Sequence, residues 1–168
     1  GGHIVNAPGI QEPAELLSEV ERLQTAENEL LHEIDELKAE VKILEPWGEF
    51  SLEHLDHFTQ ATGLNVCFFS CTAKKFGGEW AQACYATPIC EEKKKIYFVT
   101  FSKECPDIPA EQIFLPRKSY SQAVSELDAA KNKLYDVRAE MVAINNKLRP
   151  VLEKGQTEML NEISLSKV

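Results

Sequence analysis

Cys67 and Cys71 stand four residues apart in a stretch that reads as a strand, so both thiols share one face, and Cys84 and Cys90 follow. Together with Cys84 or Cys90 the pair offers ligands of the kind that hold zinc. Structural zinc sites draw on tight turns and CxxC pairs, and this chain has no CxxC, so packed apolar thiols are the better reading. With Cys105 the cysteines form an odd set of five, which fits reduced thiols in a cytosolic compartment better than a disulfide framework. His54 and His57 lie three apart on a helix with no third ligand nearby in sequence, a pattern of solvated histidines. Lys93-Lys94-Lys95 has the charge to hold a phosphate, but a charged hairpin guarding a sheet edge accounts for it more simply. Gly77-Gly78 matches neither dinucleotide nor P-loop spacing, and no Ser/His/Asp or Cys/His set stands out. The expectation is therefore no cofactor, no metal and no catalytic residue.

Composition narrows the partners. The chain has 168 residues and a net charge of -9, which argues against binding nucleic acid, where affinity comes from Lys and Arg neutralising phosphates. An acidic chain suits a basic protein partner better. No apolar run approaches the roughly eighteen residues that cross a bilayer, and no signal-peptide pattern is present, so this stretch of chain is expected to be soluble. Residues 1–9 lack periodicity and carry no fold argument.

Two leucine-rich stretches must position everything else. Leu16, Val20, Leu23, Leu30, Ile34, Leu37, Val41 and Leu44 follow 4-3 alternation, with Glu27 in the one polar slot. Pro46 stops this helix. After Ser119, with Gln122 three residues later as a capping-box signature, the apolar positions Val124, Leu127, Ala130, Leu134, Val137, Met141, Ile144 and Leu148 form a second seam, with Lys131 as a polar member. Pro150 is expected to kink or restart the helix. Two apolar seams separated by a compact insert satisfy each other by folding back antiparallel.

The insert reads as a small mixed lobe. Ser51 is placed as the N-cap of a helix ended by Gly63, with Phe50 and Leu55 as a hydrophobic staple. Residues 64–72, apolar on both faces, predict an inner strand. A short helix carries Phe76 and Trp80 on one face. Residues 84–90 and 95–101 predict two strands joined by the loop Glu91-Glu92-Lys93-Lys94, with Pro88 at an edge or a bulge. Ile113-Phe114-Leu115 predicts a last short strand. The expected fold is α+β: an antiparallel two-helix coiled coil (12–45 and 118–165, kinked near 150) capped by an α/β lobe of about four strands and two short helices (46–117).

At the corner Leu44-Glu45-Pro46-Trp47-Gly48-Glu49-Phe50, through the aromatic strand, Lys74-Lys75-Phe76 and Trp80, to the return Leu115-Pro116-Arg117-Lys118-Ser119, the chain resembles subunit I of V-type (archaeal-type) ATP synthases. The eukaryotic counterpart is vacuolar ATPase subunit a. Pro46 ends the helix, Trp47 is a large anchor and Gly48 allows the sharp turn. The resemblance covers about residues 12–150 and is strongest over 41–120. It implies the distal lobe and most of the rod from the cytoplasmic N-terminal region of that family. It further implies a non-catalytic stator role in an ion-translocating complex, with peripheral stalk subunits E and G and other rotary ATPase subunits as partners. Membrane contact would come only through a domain absent from this chain. The truncated seam would also allow dimerisation. A rod-and-hinge scaffold that dimerises is the rival within the binding class, and a small thiol or metal enzyme the rival from another.

Overall fold

The computed structural model describes the backbone of residues 13–166 and the side chains of residues 13–153. In chain order the elements are α1 (Pro13–Leu44), a 3-10 turn (Glu45–Trp47), α2 (Leu52–Thr62), β1 (Asn65–Thr72), a second 3-10 turn (Ala73–Lys75), α3 (Glu79–Cys84), β2 (Thr87–Glu92), β3 (Lys95–Ser102), β4 (Glu111–Ile113) and α4 (Tyr120–Ser166). The described residues divide into two compact units, 35–128 and 13–34 with 129–166. The class is α+β.

In the unit of residues 35–128 the four strands form an antiparallel sheet of order β2-β3-β1-β4. The two inner strands are those whose residues are apolar on both faces, as double-sided burial demands. On one face Phe69 lies opposite Phe98, and these pack with Cys71, Trp80, Cys84 and Ala86. Phe98 is fully buried and stacked between Phe69 and Trp80, at 5.5 and 5.6 Å between ring centroids. On the other face Phe68 opposes Val99, Ser70 opposes Tyr97 and Val66 opposes Phe101. α2 is held by local capping: Ser51 Oγ accepts from His54 N–H, and Gly63 takes the left-handed conformation with its N–H on Thr59. Pro88 does lie in an edge strand next to a register shift.

Several local expectations shift. Cys84 ends α3, so β2 begins later than expected, at Thr87. The tight β2–β3 turn uses only Lys93 and Lys94, and Glu91 and Glu92 remain in the strand. Only Ile113 of the expected Ile113-Phe114-Leu115 strand belongs to β4, and Phe114 is exposed. α4 continues as helix through Pro150 rather than restarting. At its start Ser119 Oγ accepts from Gln122 N–H, but the Gln122 side chain turns to Glu126. Glu49 instead accepts from the Ser121 N–H and hydroxyl. A carboxylate there also complements the helix dipole.

The other unit is helical. Leu16 and Leu23 of α1 are buried in one cluster with Ile144 and Leu148 of α4, and Val20, Val137 and Met141 pack around them. Arg22 pairs with Glu140 at 3.6 Å and Arg138 donates to Glu27 at 3.1 Å. Rising positions on α1 thus meet falling positions on α4. The Glu27–Arg138 pair also shows how a carboxylate is accommodated beside an apolar stripe.

Lys118 ties the end of α1 to the start of α4 by donating to Glu40 and Glu126, each at 2.6 Å, with a side chain only 18% exposed. Its ammonium is held above its usual pKa by Glu126 first and Glu40 second, and Glu126 is held below the usual carboxylate range, chiefly by Lys118. A lowered carboxylate stabilises above its unfolded-state pKa and loses that gain as pH falls through the folded value. A raised ammonium stabilises below its unfolded-state pKa and loses the gain as pH rises through the folded value. The clasp is therefore complete between about pH 5 and pH 10. Lys118→Met is expected to cost about 1 kcal/mol at neutral pH. In urea denaturation across pH, its deficit relative to the parent should shrink as acidity protonates Glu126; a constant deficit down to pH 2 would contradict this.

Candidate functional site

The corner after α1 is built by three residues acting in turn. Pro46 lies in the first positions of the 3-10 turn, where no backbone donor is needed, and Gly48 follows at φ 72°, a conformation that favours glycine. Between them the Trp47 ring is driven onto the sheet. It meets Phe68 edge-on at 5.0 Å and Tyr97 edge-on at 5.7 Å, leaving the residue 7% exposed. Phe50 stacks on Phe68 at 5.9 Å, and Phe58 of α2 meets Phe101 at 5.5 Å. Each such ring pair contributes about 0.5–1.5 kcal/mol beyond area burial. The staple reading of Phe50 was incomplete, because its ring goes to the sheet.

Trp47 Nε1–H is buried and has no hydrogen-bond partner among the described residues. Beside it lies an almost wholly apolar cavity of about 190 Å³, lined by Trp47, Phe50, Leu55, Phe68, Ile89 and Phe101 among others. A second hollow, of about 290 Å³, is lined by Leu52, Asp56, Cys67, Cys105, Phe114 and Arg117 among others, and Arg117 pairs with Asp56 at 3.4 Å. These hollows could seat side chains of a partner.

The sequence-predicted positions fall as follows. Pro46, Trp47 and Gly48 form the corner. Leu23, Ile34, Leu37, Leu44, Leu127, Leu134 and Leu148 are buried, and Leu30, Val41, Val124 and Met141 half-buried. His54 and His57 are exposed. No group of three or more His, Cys, Asp or Glu among the described residues is arranged to hold a metal. Cys71, Cys84 and Cys90 are free, and burial pushes all three thiols upward. At neutral pH they are protonated, hence poor nucleophiles.

The cysteine reading needs a correction. Cys67 and Cys105 are joined in a disulfide with Cα atoms 5.9 Å apart, tying β1 to the β3–β4 loop across 38 residues of sequence. They are not simply packed thiols. An odd count and the lack of CxxC gave no sign of it, because the two cysteines meet only after β1 and β3 pair. Gln112 Nε2 donates to Cys105 Sγ at 3.3 Å, and Asn65 Nδ2 donates to the Lys103 carbonyl at 2.7 Å, so the loop is also held by polar contacts.

No family model, curated protein or solved structure matches the chain.

Two substitutions at the corner separate packing from polarity. Trp47→Ala removes a buried ring and is expected to cost about 3–5 kcal/mol, whereas Trp47→Phe keeps an aromatic edge and loses no hydrogen bond, costing about 1–2 kcal/mol. Equal losses in chemical denaturation would show that the indole nitrogen has a partner. Opening the disulfide with a dithiol reductant should lower stability by at most about 4 kcal/mol, from the entropy of a loop this long. An unchanged melting curve with quantitatively reduced thiols would contradict that.

Proposed function

We propose that this chain is a structural stator module of a V-type rotary ATPase or ATP synthase, linking the peripheral stalk to the membrane-bound ion-translocating part and resisting the torque of the rotor. In this reading α1 and α4 form an antiparallel coiled coil with the α/β unit inserted between them in sequence. The partners are stalk subunits E and G, and the chain works at the cytoplasmic face of the complex, with its membrane contact made elsewhere. The role is non-catalytic.

The observation that carries the reading is the opposed pairing of α1 with α4, with Leu16 and Leu23 gathered against Ile144 and Leu148 and two cross-helix ion pairs in matching order. Two helices paired this way carry load along their axes through many small contacts. The aromatic corner supports it as well, because an anchored Trp47 ties the end of α1 to the sheet. No described helix is long and apolar enough to cross a membrane.

The disulfide sets a condition. Cytosolic disulfides in ordinary organisms are transient or regulatory. On the stator reading Cys67 and Cys105 therefore spend most of their time as neighbouring thiols and close only under oxidation.

The test is binding to a purified stalk heterodimer of subunits E and G by isothermal titration calorimetry, under reducing conditions. Binding at or below tens of micromolar is expected. No heat at that concentration, with a self-associating chain in sedimentation, would favour the dimerising scaffold instead.

A further inference from the structure

The β2–β3 turn is built against its own conformational preference. Lys93 and Lys94 are its two central residues, between the paired Glu92 and Lys95, and both have positive φ, 50° and 64°. A two-residue hairpin of this kind favours Asn-Gly, because side-chain-bearing residues other than Asn and Asp are strained there. Two lysines in these positions are an outlier of the sort that is retained where function requires it.

Their surroundings concentrate the charge. The Lys94 carbonyl accepts the Ala73 N–H at 2.8 Å, which fastens the 3-10 turn bearing Lys74 and Lys75 beside the hairpin tip. Lys95 lies opposite Thr72, the residue before that turn. Five lysines thus collect at one end of the sheet, in a chain whose net charge is -9. Among the described residues, Lys74, Lys75, Lys93 and Lys94 are exposed and make no ion pair, and Lys95 has only Glu111, at 4.0 Å. Next to them is a hollow walled in part by Ser70, Lys75, Lys95 and Glu111. The Ser70 hydroxyl is buried without a partner among the described residues. Lys93 and Lys94 occupy the turn that leaves the edge strand β2, and Lys95 begins the inner strand β3, so a charged hairpin at a sheet edge describes their place but not the strain at the turn or the neighbouring lysines.

We propose that this lysine cluster is a docking surface for an acidic polypeptide segment, one rich in Asp and Glu. Charge complementarity selects an anionic partner, and separate ammonium groups spread over two neighbouring turns match carboxylates distributed along a segment better than the charge of one compact phosphate. The inference stands apart from the stator reading, because any acidic segment of suitable length satisfies it.

The experiment uses the whole chain and a fluorescein-labelled peptide of ten glutamates, followed by anisotropy at about 50 mM salt. Binding in the micromolar range is expected, weakening steeply toward 300 mM. Lys93→Asn with Lys94→Gly should weaken it about tenfold, through the loss of two charge contacts, while raising the melting temperature by roughly 2–8 °C through relief of strain. A gain in stability with a loss of binding is a pairing that a merely structural turn would not show. Three results would overturn the proposal: no peptide binding below millimolar, binding unaffected by the double substitution, or tighter binding to tripolyphosphate or to anionic phosphatidylglycerol vesicles than to the peptide.

Discussion

A helix with a single apolar stripe gains too little from its own backbone hydrogen bonds to persist in water, so its stability must come from whatever covers the stripe. For α1 the cover is α4. Leu16 and Leu23 lose their water to a cluster completed by Ile144 and Leu148, residues more than a hundred positions away in the chain. The polar pairs Glu27–Arg138 and Arg22–Glu140 contribute little energy at their exposure, but they favour the observed alignment over slipped ones.

Within residues 35–128 the corresponding constraint is the corner. Pro46 and Gly48 set the path of the backbone, and the path delivers Trp47 to Phe68 and Tyr97. Phe50 and α2 then complete the same face, while Phe98 and Trp80 close the other. Lys118 joins Glu40 to Glu126 and so fixes where α4 departs. Burial in this unit raises the Cys71, Cys84 and Cys90 thiols, and the functional reading rests on mechanics and on surfaces.

What was legible in the residues was what local chemistry decides. Ser51 and Gly63 announce the ends of α2 because capping depends on a few neighbouring atoms. Pro88 announces an edge because it lacks a donor. The two-sided apolarity of β1 and β3 announces their inner positions. The disulfide was not legible, since Cys67 and Cys105 become neighbours only through strand pairing. The strand order β2-β3-β1-β4 was beyond reach for the same reason. Pro150 was read as a kink or a restart because a proline removes one helical donor, and α4 runs on through it without restarting. The corner was recognisable as Pro-Trp-Gly, but the partners of the tryptophan ring lie on strands that the sequence could not place.

The central claim is that α1 and α4 hold each other in opposite chain directions, and methyl-resolved nuclear Overhauser spectroscopy on selectively labelled Leu and Ile tests it without altering the protein. Cross-helix contacts joining Leu16 and Leu23 to Ile144 and Leu148 are the predicted result. Methyl spectra showing only contacts within each helix would contradict the pairing, and the proposed torque-bearing role would go with it.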